Sequence, residues 1–195
     1  LYLDLRTLAI GRIYDSSILG YYNRGESIPK VVVSNLDGSI QAVMFSAFSA
    51  HQDDPRKLKS LVRRVISVSS FFVFPAMIGL AVVAEPLVQV LLTEKWFSAI
   101  PFVQLFCLSY IWLPVQTVNL QVISALGRSD ITLRLQVIKK AISVIILVIA
   151  VPYGVFAIAI GAVISAIASM IVNMYPNRTL LGYSLSEQLS DVLPS

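Results

Sequence analysis

The chain alternates long apolar blocks with short polar breaks, and the blocks are far longer than the core stripe of a soluble helix. Apolar runs occupy residues 65–92, 98–125, 131–151 and 155–175. At about 1.5 Å per residue, each is long enough to cross a hydrocarbon core of about 30 Å. The breaks between them are TEKWF at 93–97, LGRSD at 126–130 and PYG at 152–154. Upstream, residues 1–13 read as the end of a helix. YDSSILGY at 14–21 reads as a turn, and 22–50 as a second helix with Pro29 near its start. In HQDDPRKLKSLVRR at 51–64, Asp53 and Asp54 before Pro55 make an acidic cap with proline in the first turn. A helix therefore starts there in water and enters lipid near Val65. Pro75 and Pro114 lie inside apolar runs, where neighbouring helices can satisfy the carbonyls that proline frees. Residues 176–195 are a polar tail on the same side as 51–64, with the character of a surface helix. The expected fold is all-α: one transmembrane unit, 1–195, of polytopic membrane helices, truncated at both ends.

The helix at 22–50 departs from the pattern. With Arg24 at 0° and about 100° per residue, Asn23, Ser27, Lys30, Ser34, Asp37 and Gln41 fall between about 220° and 300°. Ile28, Val31, Val32, Leu36, Ile40 and Val43 lie away from that stripe. Lipid cannot satisfy a polar stripe, so it must face protein or a wet cavity. A cavity wall is the functional expectation, with Asp37 holding Lys30 or titrating; a stripe buried against other helices is the plainer one. Trp112, Gln116 and Asn119 form a second polar face, read as glue between helices. Glu85, before Pro86, reads as an interfacial residue or the cap of a break.

Composition supports lipid as the solvent: 56% of residues are hydrophobic and 13% charged, about half the charge usual in soluble domains. The net charge of +4 follows from orientation signals rather than nucleic-acid binding, because no basic surface interleaved with aromatics appears. With 51–64 cytoplasmic, one side holds Arg56, Lys57, Lys59, Arg63, Arg64, Arg128, Arg134, Lys139, Lys140 and Arg178; the other holds Arg24, Lys30 and Lys95. Tyr21, Tyr22, Trp96, Phe97 and Tyr153 then fall on the outer side, as an aromatic belt does. One cysteine, Cys107, and one histidine, His51, cannot build a disulfide, a metal cluster or a triad within the chain. No enzyme, cofactor or metal is expected.

The stretches LDLRTLAIGRIYDSSILGYYNR at 3–24, VMFSAFSAHQDDPRKLKSLVRR at 43–64 and FPAMIGLAVVAEPLVQVLLTEKW at 74–96 carry a resemblance. ALGRSDITLRLQVIKK at 125–140 and YSLSEQLSDVLP at 183–194 continue it. In their order and spacing the chain resembles the polysaccharide transporter branch of the multidrug/oligosaccharidyl-lipid/polysaccharide exporter superfamily. The resemblance implies an inverted V of two six-helix lobes around a cavity, with this chain holding most of the second lobe. It implies alternating access in the bacterial inner membrane and an undecaprenyl-pyrophosphate-linked oligosaccharide as substrate, for lipopolysaccharide or exopolysaccharide synthesis. By position it points to Arg24 and Lys30 for the pyrophosphate; of the stripe residues, Asn23, Ser34 and Gln41 are expected to hydrogen-bond sugar hydroxyls, with Asp37 beside Lys30. A monomer working beside polysaccharide polymerase and export proteins is expected. Three alternatives stay open: a drug or cation antiporter of the same superfamily, a membrane polymerase or ligase of the sugar pathway, and a non-transporting scaffold.

Overall fold

Proline chemistry and two-sided burial decide where the helices stop. The computed structural model describes residues 2–192, apart from the side chains of residues 2–4, 39, 40, 42 and 43; Ile40 and Val43 therefore lie outside the described side chains. All secondary structure among the described residues is helical. Helix α1 (Tyr2–Ile13) is followed by the long α2 (Ser16–Ser49), α3 (Pro55–Val82) and α4 (Ala84–Leu91). A 3-10 turn (Glu94–Ala99) leads into α5 (Ile100–Tyr110) and α6 (Leu113–Ala125). Helix α7 (Ser129–Ala150) and α8 (Val155–Leu180) flank a second 3-10 turn (Val151–Tyr153), and α9 (Leu185–Val192) closes the described chain. Four spans are long and apolar enough to cross a membrane: Pro55–Val82, Glu94–Ala125, Ser129–Tyr153 and Val155–Leu180. The fold is an all-α polytopic membrane bundle.

Several boundaries differ from the sequence reading, for definable reasons. The expected turn at 14–21 shrinks to a short break, because Ile18, Leu19 and Tyr21 pack against the core and draw α2 back to Ser16. The run 65–92 splits at Val83. Pro86 lacks an N–H, and its ring excludes the carbonyl of Val82 four residues back, where α3 ends. The run 98–125 splits in the same way: Pro114 stands four residues after Tyr110, the last residue of α5. Pro29, Pro75 and Pro176 sit inside unbroken helices. Asp54 caps α3 by accepting from the backbone N–H groups of Arg56 and Lys57, each at 3.1 Å.

Helices α2, α5, α6 and α8 form the middle of the bundle, α3 packs on α2, α5 and α6, and α7 lies outside on α8. The loop between α2 and α3, the turn between α6 and α7, and α9 lie at one end, here called the basic end. The opposite, aromatic end carries the α1–α2 junction and both 3-10 turns. The core has three apolar clusters. Phe48, Leu58, Val62, Val122, Met174 and Tyr183 fill the basic end. Ile10, Tyr22, Phe102, Phe106, Val155 and Ile158 fill the aromatic end. Val33, Val73, Met77, Val103 and Ile111 join α2, α3 and α5 between them. Close approach in the aromatic-end cluster depends on Gly25: a Cβ there would stand 2.4 Å from the Cβ of Phe102. The α7–α8 connection turns at Gly154, whose φ of 101° is costly for any other residue.

Candidate functional site

Helix α2 buries Tyr22, Gly25, Pro29, Val33 and Asp37, one residue every three or four positions. That ridge lies beside the polar stripe rather than on it, so the structure divides the six residues the sequence placed together. Asn23, Arg24, Lys30 and Ser34 are exposed. Asp37 is buried, 4% exposed, against α6. Its carboxylate accepts from the Thr117 hydroxyl at 2.9 Å and from the Gln41 side-chain amide. Asp37 therefore does not hold Lys30; it joins α2 to α6. Arg24 lies with its guanidinium 5.1 Å from the centre of the Trp96 ring, which Tyr21 meets edge-on at 5.9 Å. Because α2 begins at Ser16, Lys30 sits near the middle of the helix rather than at the outer side with which the charge count grouped it. The exposed polar face also lowers the hydropathy of α2, which is not among the four apolar spans.

Between α6 and α8 the polar residues are helix-to-helix glue. The Gln116 amide donates to the Ala166 carbonyl at 3.2 Å and the Asn173 amide to the Gln116 carbonyl at 3.2 Å. The Asn177 amide donates to the Asn119 side-chain oxygen, and both asparagines are fully buried.

A second polar region was not foreseen. A cavity of about 320 Å³ opens among α1, α2, α5, α6, α7 and α8. Its charged lining is Arg6, Glu26, Lys139 and Lys140, and its hydroxyls include Ser109, Ser165 and Ser169. Lys139 and Lys140 stand at the midpoint of α7, residues 129–150, not at the basic end where the charge count placed them. Removing both from that count leaves eight cations on the basic side, so the asymmetry survives. Ser165 and Ser169 flank the midpoint of α8, and the break between α5 and α6 lies at the same level. Tyr110, the last residue of α5, donates its hydroxyl to Glu26 at 3.2 Å. The signal for the cavity in the sequence is the pair of lysines inside the apolar run 131–151, which by charge alone looks like an orientation signal.

A helical bundle with four membrane-length spans, charged groups at mid-depth and a proline-broken span beside them defines an all-α polytopic membrane protein with a polar interior. The sequence profile of a family described as polysaccharide biosynthesis proteins matches residues 1–101, and the chain belongs to that family, in the polysaccharide transporter branch that its motifs resemble. It is 32% identical over 180 residues to the lipopolysaccharide biosynthesis protein WzxC of Escherichia coli, covering 92% of this chain and 35% of that protein. It is 24% identical over 189 residues to an uncharacterized membrane protein in the cps region of Klebsiella pneumoniae, covering 96% and 39%. It is 25% identical over 128 residues to the teichuronic acid biosynthesis protein TuaB of Bacillus subtilis, covering 66% and 26%. The chain thus spans about a third of the length of these relatives. No solved structure matches it.

Proposed function

We propose that this chain is part of a flippase that carries an undecaprenyl-pyrophosphate-linked oligosaccharide across the bacterial inner membrane for surface polysaccharide synthesis. The exposed polar face of α2 carries the reading. Asn23, Arg24, Lys30 and Ser34 project from a helix whose other side is packed into the bundle. A cation at mid-membrane costs about 2.5–3.5 kcal/mol on insertion scales, and lipid offers it no partner. Such a face is tolerated where it lines a water-filled cavity between this bundle and another. Two cations on that wall suit an anionic pyrophosphate, and Asn23 and Ser34 beside them suit sugar hydroxyls. In this reading Gln41 and Asp37 contribute by fixing α2 on α6, behind the cavity wall. The names of the relatives place them in lipopolysaccharide and teichuronic acid biosynthesis, which fits a lipid-linked glycan as cargo. The chemistry is movement, not bond making, and the transporter works by alternating access rather than as an enzyme.

The test uses charge rather than size, in the full-length protein expressed in a strain lacking its own flippase. Arg24→Gln with Lys30→Gln abolishes surface polysaccharide while the amount of protein in the membrane stays normal. Val33→Gln, buried on the opposite side of α2, instead lowers the amount of folded protein. Normal surface polysaccharide with both cations neutralised would remove the basis for the reading.

A further inference from the structure

We infer that the mid-membrane cavity inside the bundle is itself an anion site, which takes a phosphate or pyrophosphate group between α7 and α8. The inference deepens the proposed function and rests on it for the origin of the anion, but it concerns a different set of residues from the α2 face.

The argument starts from Lys139. It lies on the inward stripe of α7, one helical turn from Leu135 and one from Ser143, both buried. The rest of α7 faces outward: Leu133, Val137, Val148 and Ile149 are exposed apolar residues, as a lipid-facing helix requires. Lys139 is half-buried in the cavity wall, and Lys140 stands at its mouth. Neither lysine forms an ion pair among the described residues. The carboxylate in the lining, Glu26, accepts from Tyr110 across the cavity. Arg6, 8% exposed, is already engaged and adds its charge to the field. Among the described residues the lining therefore carries three cations and one carboxylate.

A lysine at the centre of a membrane helix is expensive unless it meets a counter-charge or water. Among the described residues no carboxylate pairs with Lys139, and the cavity has the chemistry of an anion receptor. Lys139 and Lys140 give ammonium donors, and Ser169 gives a neutral one. The Ser165 hydroxyl, in a residue 4% exposed, has no hydrogen-bond partner among the described residues. At about 320 Å³ the cavity is at the lower end of sizes that hold small ligands, enough for a phosphate or pyrophosphate but not for a glycan. The broken span beside it, α5–α6, lets one wall shift without unravelling a continuous helix.

The test is titration of the full-length protein in nanodiscs with inorganic pyrophosphate and, separately, with a polyprenyl pyrophosphate. Binding of both in the wild type identifies a site open to free phosphate; binding of the polyprenyl compound alone identifies a site for a lipid headgroup. Either result supports the inference if Lys139→Gln with Lys140→Gln weakens binding about tenfold or more while Lys139→Arg with Lys140→Arg retains it. Lys95→Gln, which removes an exposed charge at the aromatic end, leaves binding unchanged. Arg24→Gln with Lys30→Gln separates the two sites: it impairs transport but leaves pyrophosphate binding in place. The inference is overturned if neither probe binds, or if binding survives loss of both lysines. Binding that disappears in the α2 variant but not in the α7 variant also overturns it, and leaves the proposed function standing.

Discussion

At the scale of single residues, this bundle depends on a few small and polar side chains where helices touch. Asp37 looked in the sequence like one of a row of exposed polar groups, yet it is buried and bonded to Thr117 and Gln41. The hundred-degree step between residues gives the angle of a side chain around α2 but not which sector a neighbour covers. Arg24, Lys30 and Asp37 were thus legible as polar and unusual, while their division into an exposed face and a buried bond was not. Gly25 makes the sharper prediction. With Phe102 in contact, α2 and α5 sit too close for a β-carbon. Gly25→Leu forces them apart and empties part of the cluster around Tyr22, Phe102 and Phe106. The expected outcome is a destabilisation of about 2 kcal/mol or more, read as a lower unfolding midpoint in detergent. Gly38→Leu has open space around it and shifts the midpoint little.

At the scale of elements, α9 is clasped to the start of α3. Ser184 and Glu187 form a reciprocal cap: the Ser184 N–H donates to the Glu187 carboxylate at 2.9 Å, and the Glu187 N–H to the Ser184 hydroxyl at 3.2 Å. Lys59 donates to Glu187 at 3.1 Å and to the Gly182 carbonyl at 2.7 Å. Arg63 holds Asp191 with two hydrogen bonds of 2.8 Å, and Tyr183 donates to the same carboxylate at 2.6 Å. The Ser184 N–H and then Lys59 hold Glu187 below the usual carboxylate value. Burial opposes ionisation of Asp191, but Arg63 and Tyr183 outweigh it and lower its pKa as well. Burial, reinforced by Asp191, pushes Tyr183 upward, so it stays a donor. Carboxylates lowered in the folded state favour docking above their unfolded pKa of about 4, and that contribution is lost as pH falls through the folded values. Nitroxide labels at Ser60 and Leu189 should therefore report a narrow distance at neutral pH that broadens as acid protonates both carboxylates. Arg63→Gln should broaden it already at neutral pH, and a distance as narrow in that variant as in the wild type would disprove the clasp. This element was legible as a polar tail with helical character. Its partner was not, because the contacts join residues more than a hundred positions apart, and the same distance hid the cavity shared by six helices. Pro75 and Pro114 read alike in the sequence, as prolines inside apolar runs, yet α3 continues through Pro75 while α5 ends four residues before Pro114; the break suggested by Glu85 and Pro86 is present between α3 and α4.

At the scale of the whole molecule, the bundle is polarised from end to end. Arg56, Lys57, Lys59, Arg63, Arg64, Arg128, Arg134 and Arg178 gather towards the end that carries α9, while Tyr14, Tyr21, Trp96, Phe97 and Tyr153 ring the other. Cations are retained on the cytoplasmic side during insertion, and amphipathic aromatic rings settle at the headgroup level. Moving Lys139 and Lys140 out of the count strengthens this logic: the cations that remain on the basic side lie near helix ends, where orientation is decided, and the two removed belong to the interior. The basic end should therefore face the cytoplasm. The one cysteine of this chain, Cys107, is buried and gives little background, and any cysteine elsewhere in the full-length protein is replaced for the test. Ser60 and Ser98 are exposed at opposite ends. In intact cells carrying the full-length protein, a membrane-impermeant thiol reagent should label Ser98→Cys and leave Ser60→Cys unlabelled. After permeabilisation both should react, which shows that the silent site was hidden by the membrane and not by the fold. Labelling of Ser60→Cys from outside, with Ser98→Cys protected until permeabilisation, would invert the molecule. The mouth of the proposed α2 wall near Arg24 and Trp96 would then face the cytoplasm, and a cycle that delivers its cargo outward past that mouth would have to run in the opposite sense.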